Sequence, residues 1–317
     1  MSVSFHIKNK KKFFGYEKVL TVGEVVDLCK EYKLSIYNID FNADDFNKEK
    51  FYNTSIESWQ ENHSCILFGV EGKSVRGFEF SYNTTKNSYV IREFTPASEN
   101  DWFIVLEFMK VLSEKLNSKI LSEQKEIFTS GTINTYDYKS DIKSGIKAIL
   151  DLLNKENEKG FNVDNIYGIK RPVSFDKEII ERIVNSSDEI KEFSKFCENI
   201  QYIDAYSAKQ FFVDDKEHNK KWAYYVLIEN LRTVLPYKPN VEIFSMNYIK
   251  NEEVAFWKIF FCAYKVDENG EEGFDKIGES IYDDFIKRLP SNKYKFIDAS
   301  YIVVEPLNKD EILEILK

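Results

Sequence analysis

The sequence predicts an α+β fold in which antiparallel sheets are covered by helices, arranged as two halves of similar topology. Connections of hairpin length join three runs of alternating apolar residues, at 64–71, 75–82 and 87–94. A long segment with helical apolar spacing follows them. Because 317 residues exceed the usual size of one domain, we expect an N-terminal half, residues 1–160, and a C-terminal half, residues 161–317.

The first half begins with a strand and a capped helix. Residues 2–8 alternate apolar and polar side chains, which is typical of a half-buried strand. Thr21 and Glu24 form a capping-box pattern that predicts a helix over 21–32. Residues 35–62 are rich in Asn and Asp, and we predict irregular structure there with a short helix at 56–60.

A long helix follows the three-stranded meander. Pro96 ends the last strand, and Ser98 predicts the start of a helix that runs to Leu116. Within its first turn we expect Asp101 to cap the helix and Trp102 to pack in the core. A strand at 119–124 and a helix at 141–154 complete the half.

The second half repeats a similar order of elements. Its predicted strands lie at 165–170, 207–213, 222–230, 241–248, 254–266 and 294–304. Its predicted helices lie at 176–197, at 274–289 and from 309 onward. Both halves thus run strand, helix, several antiparallel strands, helix, strand and helix, and one interpretation of this order is an internal duplication.

Residue usage favours packing and surface contact over catalysis. The chain contains 26 Phe and 19 Tyr but only 3 His, 4 Cys and 12 Gly. We find no nucleophile beside a base, ligand cluster or glycine-rich phosphate loop at a spacing that such chemistry requires. We therefore expect no cofactor, and a binding role is favoured over an enzymatic one.

Charge and hydropathy narrow the class of partner. The net charge of −9 disfavours nucleic acid as a partner, because phosphate binding needs clustered cations, and it favours a basic or neutral protein.

The chain start lacks a signal-peptide pattern, and no apolar run approaches the roughly 20 residues of a membrane helix. Four separated cysteines suit reduced thiols. We expect a cytoplasmic protein that does not bind a membrane; its oligomeric state stays open.

Three polar clusters stand out from this background. A basic run with two phenylalanines, residues 8–18, is interpreted as a solvated turn after the first strand. Another cluster could hold a metal or be a solvated turn, and consists of Asp214, Asp215, Glu217 and His218. The last forms a predicted acidic hairpin tip that would meet a basic partner, and consists of Asp267, Glu268, Glu271 and Glu272.

Two segments carry a resemblance to a known family. The opening SVSFHIKNKKKFFGYEKVLTVGEVV and the later TPASENDWFIVLEFMKVLSEKL resemble the bacterial family known as domain of unknown function 4299. The resemblance covers essentially the whole chain and implies a bacterial cytoplasmic origin, but it implies no activity and no functional residue.

Two functions remain open at this point. The first is a non-catalytic protein-binding module, of an immunity or regulatory type. The alternative is a metal-dependent hydrolase whose carboxylates lie far apart in the sequence and converge only in the fold.

Overall fold

The predicted α+β class is confirmed by the computed structural model, which describes residues 1–41, 43, 46–61, 63–156, 163–215, 220–241, 249–266 and 270–317. These residues form two units, Met1–Tyr202 and Ile203–Lys317. Each unit combines helices with sheets in which most neighbouring strands are antiparallel.

The first unit contains one large sheet and one separate strand pair. The strands of the large sheet are Ser2–Lys8 (β1), Leu34–Ile36 (β2), Ile66–Val70 (β3), Phe78–Asn83 (β4), Ser88–Phe94 (β5), Ile120–Ser122 (β6) and Ile127–Phe128 (β7). They pair antiparallel in the order β2-β3-β4-β5-β1-β6-β7. The separate pair is Asp164–Ile166 (β8) with Val173–Phe175 (β9).

The helices of the first unit are Val22–Val26 (α1), Lys48–Asn53 (α2), Ile56–Trp59 (α3), Glu99–Leu116 (α4), Tyr138–Glu156 (α5), Lys177–Val184 (α6) and Glu189–Gln201 (α7). Helix α4 packs on the large sheet of the first unit, and α5, α6 and α7 pack on one another beside it. The core lies between α4 and the sheet, where the Phe108 ring lies 4.9 Å from Phe78 and 5.3 Å from Phe80. The predicted meander is therefore present as β3, β4 and β5, and α4 packs on it.

Helix α4 begins at the predicted cap. Ser98 and Asp101 form a capping box, in which each side chain accepts a hydrogen bond from the backbone N–H of the other residue. Asp101 also accepts hydrogen bonds from the backbone N–H groups of Val75 and Gly77, each at 3.0 Å. Trp102 is fully buried, as predicted. One carboxylate therefore fixes both the helix start and the loop between β3 and β4.

A buried cation and a buried carboxyl lie beside this cap. The Arg76 guanidinium donates hydrogen bonds to the carbonyl oxygens of Pro96 (2.8 Å) and Tyr167 (2.9 Å). Glu93 is fully buried, and no side chain among the described residues donates a hydrogen bond to its carboxyl group. Burial raises the pKa of Glu93 well above its usual range, and the nearby Asp101 carboxyl raises it further.

The second unit contains two four-stranded sheets. Its strands are Tyr206–Ser207 (β10), Phe211–Asp215 (β11), Lys220–Ile228 (β12), Thr233–Pro236 (β13), Val254–Val266 (β14), Glu272–Ile281 (β15), Tyr294–Phe296 (β16) and Tyr301–Val304 (β17). Its helices are Tyr282–Arg288 (α8) and Lys309–Leu316 (α9). The strand orders are β10-β13-β17-β16 and β11-β12-β14-β15, with parallel pairs at β10–β13 and β12–β14.

Several predicted elements differ from the observed ones. The helix predicted at 274–289 begins only at Tyr282, because residues before it pair with β14 as β15. The single helix predicted at 176–197 is two helices, because Asp188 caps α7 by accepting a hydrogen bond from the Lys191 backbone N–H. Except for Val241, the strand predicted at 241–248 lies outside the described residues.

The division of the chain also differs from the predicted halves. Helices α6 and α7 follow residue 160, yet they pack against α4 and α5 and belong to the first unit. The two units have different strand orders, so the described sheets do not repeat the order that a duplication predicts. Each helix in the described ranges falls short of the length or apolar content that crossing a bilayer requires.

Candidate functional site

The sheet β11-β12-β14-β15 carries apolar side chains on both faces. On its inner face, Tyr225, Leu227 and Phe261 are buried against α8 and α9. Because successive residues of a strand point to opposite faces, their neighbours along the chain lie on the outer face. Both central strands therefore have a second apolar surface that the core does not use.

We call this outer surface the aromatic face. It consists of Phe211, Trp222, Tyr224, Phe256, Phe260, Tyr264 and Phe274. Strand pairing places these residues together, since Phe211 lies opposite Tyr224 and Tyr264 lies opposite Phe274. The rings contact across the strands, with centroids 5.0 Å apart for Phe211 and Tyr224, 5.7 Å for Trp222 and Phe256, and 4.5 Å for Tyr224 and Phe260.

The aromatic face is open to solvent. Phe256 keeps 38%, Tyr264 49% and Phe274 57% of its surface exposed, while Trp222 and Phe260 are half-buried. A solvent-facing side of a sheet is usually polar, so a group of exposed rings there is unusual.

Two lysines and one glutamate lie among the rings. The Lys258 ammonium lies 5.3 Å from the Trp222 ring centroid, and the Lys276 ammonium lies 4.6 Å from that of Phe260. Both ammonium groups form ion pairs with Glu279, whose pKa their hydrogen bonds lower. This shared carboxylate offsets one of the two positive charges, so the three side chains together leave one net positive charge among the rings.

The size of the face sets a limit on how tightly it alone can bind. With strands about 4.8 Å apart and about 3.3 Å of rise per residue, four strands over roughly eight residues cover about 500 Å². A standard interface takes about 800 Å² from each partner. The surrounding polar residues must therefore contribute to any stable complex.

A cavity of about 620 Å³ lies at one end of the same sheet. It is lined by Asp214, Asp215, Lys220, Lys221, Glu252, Glu253 and Ala255. Lys221 forms an ion pair with Glu253 at 3.6 Å. The lining thus mixes cations with carboxylates, which is unlike the oxygen-rich set that a hard metal ion requires.

The predicted metal cluster is only partly described. Asp214 and Asp215 line the cavity, whereas Glu217 and His218 lie outside the described residues. Among the residues whose structure is known here, no group of three or more His, Cys, Asp or Glu side chains could hold a metal ion.

The predicted acidic tip lies beside the aromatic face. Glu271 and Glu272 are exposed at the start of β15, while Asp267 and Glu268 lie outside the described residues. The Glu272 carboxylate hydrogen-bonds Tyr264 and raises the pKa of its hydroxyl. Negative charge therefore borders the exposed rings at this end of the sheet.

The thiol and imidazole groups of the described residues give no sign of an activated nucleophile. Burial raises the pKa of the Cys29 thiol to about 11, and it also raises the pKa of Cys65 and Cys262. These thiols are protonated at neutral pH and react slowly. The His63 ring stacks on Trp59 with centroids 3.7 Å apart, and burial lowers the pKa of His6.

The rings of the aromatic face are absent from the residues that sequence reasoning selected. A signal for them exists in the strand sequences KKWAYYVLI and VAFWKIFFCAYKV, which lack the alternation of apolar and polar residues expected of a half-solvated strand. Such strands are usually covered on both faces. Only the structure shows that one of these faces is open.

Comparison with known proteins yields one match. A family model described as Domain of unknown function (DUF4299) matches residues 2–315. No curated protein and no solved structure matches the chain. The match covers both units and assigns no residue a role.

Proposed function

The chain belongs to the DUF4299 family, as its opening residues predicted, and we propose that it is a non-catalytic protein-binding module whose binding surface is the aromatic face. One observation carries this proposal: seven aromatic side chains lie on one solvent-facing side of a sheet, as a cluster of five contacting rings and a separate contacting pair, Tyr264 and Phe274. Rigid aromatic side chains are the residues that most often supply the binding energy of protein interfaces.

The charge on the face favours a protein over a nucleic acid. A surface that stacks bases also needs cations for the phosphates between them. Here Lys258 and Lys276 already share Glu279, and the whole chain carries a net charge of −9. Phosphates would thus meet only one net positive charge among the rings, in a chain that is negative as a whole. An apolar protein patch could cover the rings without needing such cations.

The borders of the face indicate the chemistry of its partner. Glu271 and Glu272 lie at one end, and the carboxylates of the cavity lie near the other. We propose that the partner has an apolar patch edged by basic groups, and that the binding is of a regulatory or immunity type in the cytoplasm. The limited area of the face favours a reversible complex.

The alternative hydrolase receives less support from the geometry. Its candidate acids, Asp214 and Asp215, lie opposite Lys221 and Lys220 in the β11–β12 strand pair and share the cavity lining with them. A catalytic metal would have to compete with these ammonium groups for the carboxylates.

The test compares a variant of the face with a matched variant elsewhere. Phe256→Ser combined with Phe274→Ser removes two exposed rings from the face, and Phe296→Ser removes a ring that is 52% exposed on β16 of the other sheet. A partner captured from native cells is titrated against all three proteins. Loss of a central aromatic anchor costs about 2 kcal/mol or more, so we expect the face variant to bind at least about thirtyfold more weakly and the control to bind normally.

The captured partner also decides between binding classes. Equal affinity of the face variant and the wild type would contradict the proposal. Capture that is lost on nuclease treatment would favour nucleic acid instead.

The acidic tip predicts a separate kinetic effect. Neutralising Asp267, Glu268, Glu271 and Glu272 should slow association with a basic partner and reduce its salt dependence, since these charges act at long range. The dissociation rate should change less. An association rate that stays the same at low salt would limit the tip to a role in solubility.

A further inference from the structure

An exposed hairpin near the amino terminus carries the second unusual surface of the molecule. Residues 9–17 fold back on themselves, with backbone hydrogen bonds from Lys12 to Gly15 (3.0 Å) and from Glu17 to Lys10 (2.9 Å). Asn9, only 2% exposed, fixes its base by donating from its backbone to Asn87 (2.9 Å) and from its side chain to the Glu17 carbonyl oxygen (2.8 Å). Backbone and side-chain hydrogen bonds therefore hold this segment as a hairpin, whereas the sequence predicted only a solvated turn.

The tip of this hairpin presents two phenylalanines to solvent. Phe13 is 94% exposed and Phe14 is 85% exposed. Their rings contact each other edge to face, with centroids 4.8 Å apart, and Tyr16 lies beside them at 39% exposure. At about 3.3 Å per residue, the tip lies about 13 Å along the hairpin from Asn9.

Exposed lysines lie along the hairpin and at its base. The exposed ones are Lys8, Lys10, Lys11, Lys12, Lys18 and, from the turn between β4 and β5, Lys86. Lys8 donates a hydrogen bond to the Lys86 carbonyl oxygen at 2.6 Å, which brings that turn to the hairpin. Glu17 pairs with Lys10 at 3.3 Å. The hairpin and the adjoining turn therefore form a strongly basic surface, although the net charge of the chain is −9.

We propose that this hairpin docks the protein on an anionic lipid bilayer, with Phe13 and Phe14 inserted among the acyl chains and the lysines at the headgroups. Exposed rings beside clustered cations are complementary to such a surface, which is apolar inside and negative outside. Two adjacent rings at a protruding tip fit a deformable bilayer better than a rigid protein pocket. The proposal departs from the sequence-based expectation that no membrane is bound, and it is independent of the aromatic face.

The test uses the full chain and vesicles of phosphatidylcholine with or without about 30% phosphatidylserine. We expect the wild type to sediment with the anionic vesicles and not with the neutral ones, and about 0.5 M salt to weaken the binding. Phe13→Ser with Phe14→Ser should weaken it at least about tenfold. Lys10→Gln, Lys11→Gln and Lys12→Gln together should weaken it about a hundredfold, since each lysine near the surface contributes about fivefold.

A matched control and an insertion probe complete the experiment. Ile127→Ser alters an apolar side chain that is 63% exposed on β7, and it should bind vesicles like the wild type. In Phe14→Trp, lipids brominated on their acyl chains should quench the tryptophan fluorescence. All variants should melt like the wild type, because the substituted side chains are exposed. No binding of the wild type to anionic vesicles, unchanged binding of the Phe or Lys variant, or no quenching would overturn the proposal.

Discussion

Replacing Asp101 by alanine should remove a large part of the stability of the first unit. Its carboxylate accepts hydrogen bonds from the backbone N–H groups of Val75 (3.0 Å), Arg76 (3.2 Å) and Gly77 (3.0 Å). It also accepts from the backbone and the hydroxyl of Ser98, the latter at 2.8 Å. Asp101 is 1% exposed, so water cannot easily take its place.

The expected loss follows from these donors. A buried N–H group without an acceptor costs about 1–3 kcal/mol, and partial relaxation of the loop places the three loop donors at about 3–5 kcal/mol together. Loss of the helix cap adds about 1 kcal/mol. The sum of about 4–6 kcal/mol is comparable with the total stability of many domains, about 5–15 kcal/mol.

Hydrogen exchange in graded urea is a suitable assay, because peptides from α4 report the first unit by itself. Asp101→Asn keeps one acceptor oxygen and should lose less than Asp101→Ala. Ser98→Ala removes only the cap hydroxyl and should lose about 1 kcal/mol. If Asp101→Ala destabilised α4 no more than Ser98→Ala does, the loop between β3 and β4 would not depend on this carboxylate, and the reasoning would be refuted.

Three further predictions concern pH, backbone strain and metal. Burial raises the pKa of Glu93, so the folded chain holds this proton more tightly than the unfolded chain; the resulting stability is complete below about pH 4.3 and is lost as pH rises through the folded pKa. Glu93→Gln should therefore flatten the decline in melting temperature as the pH rises above about 4.3. An identical decline in both proteins would show that Glu93 does not cause it. Gly77 has φ +65°, and an added Cβ would lie 2.1 Å from the Phe68 carbonyl oxygen, so Gly77→Ala should cost about 1–3 kcal/mol in urea unfolding. Gly72→Ala, at φ +77° with open space around it, should cost less. Equal losses of stability in the two variants would mean that the loop moves and relieves the contact between the new Cβ at position 77 and the Phe68 carbonyl oxygen. A chelator should leave the melting temperature unchanged, since the described residues contain no metal-holding group, and a large drop would reveal a site that includes other parts of the chain.

Local signals explain which parts of the fold could be predicted. Ser98 and Asp101 act through hydrogen bonds within one helical turn, so the start of α4 is readable from the sequence. The apolar residues of β1 face one side of a single sheet and alternate with polar ones, so this strand could also be predicted from the sequence. Both features depend on neighbours only a few residues away.

Long-range pairing explains most of what the sequence did not reveal. Residues 274–281 have apolar spacing that also fits a helix, and only their pairing with β14 makes them a strand. The strand β2 has three residues, which is too short to show a period. The aromatic face is exposed because the helices cover only the other side of its sheet. Since β12 and β14 are apolar on both sides, their sequences do not show which side is covered. The burial of Asn9, which fixes the basic hairpin, likewise depends on contacts with the distant residue Asn87.

The parallel pairing of β12 with β14 has a consequence for folding kinetics. The connection between them, residues 229–253, includes β13, which pairs with β10 and β17 in the other sheet. The chain must therefore leave the first sheet after β12, add β13 to the second sheet and return to pair β14 with β12. Contacts between residues this far apart in the sequence form slowly. While they form, the rings of both faces of β12 and β14 are unprotected, so refolding of this unit should become less efficient as protein concentration rises. A fragment that omitted β13 would break this connection and should not acquire the native sheet.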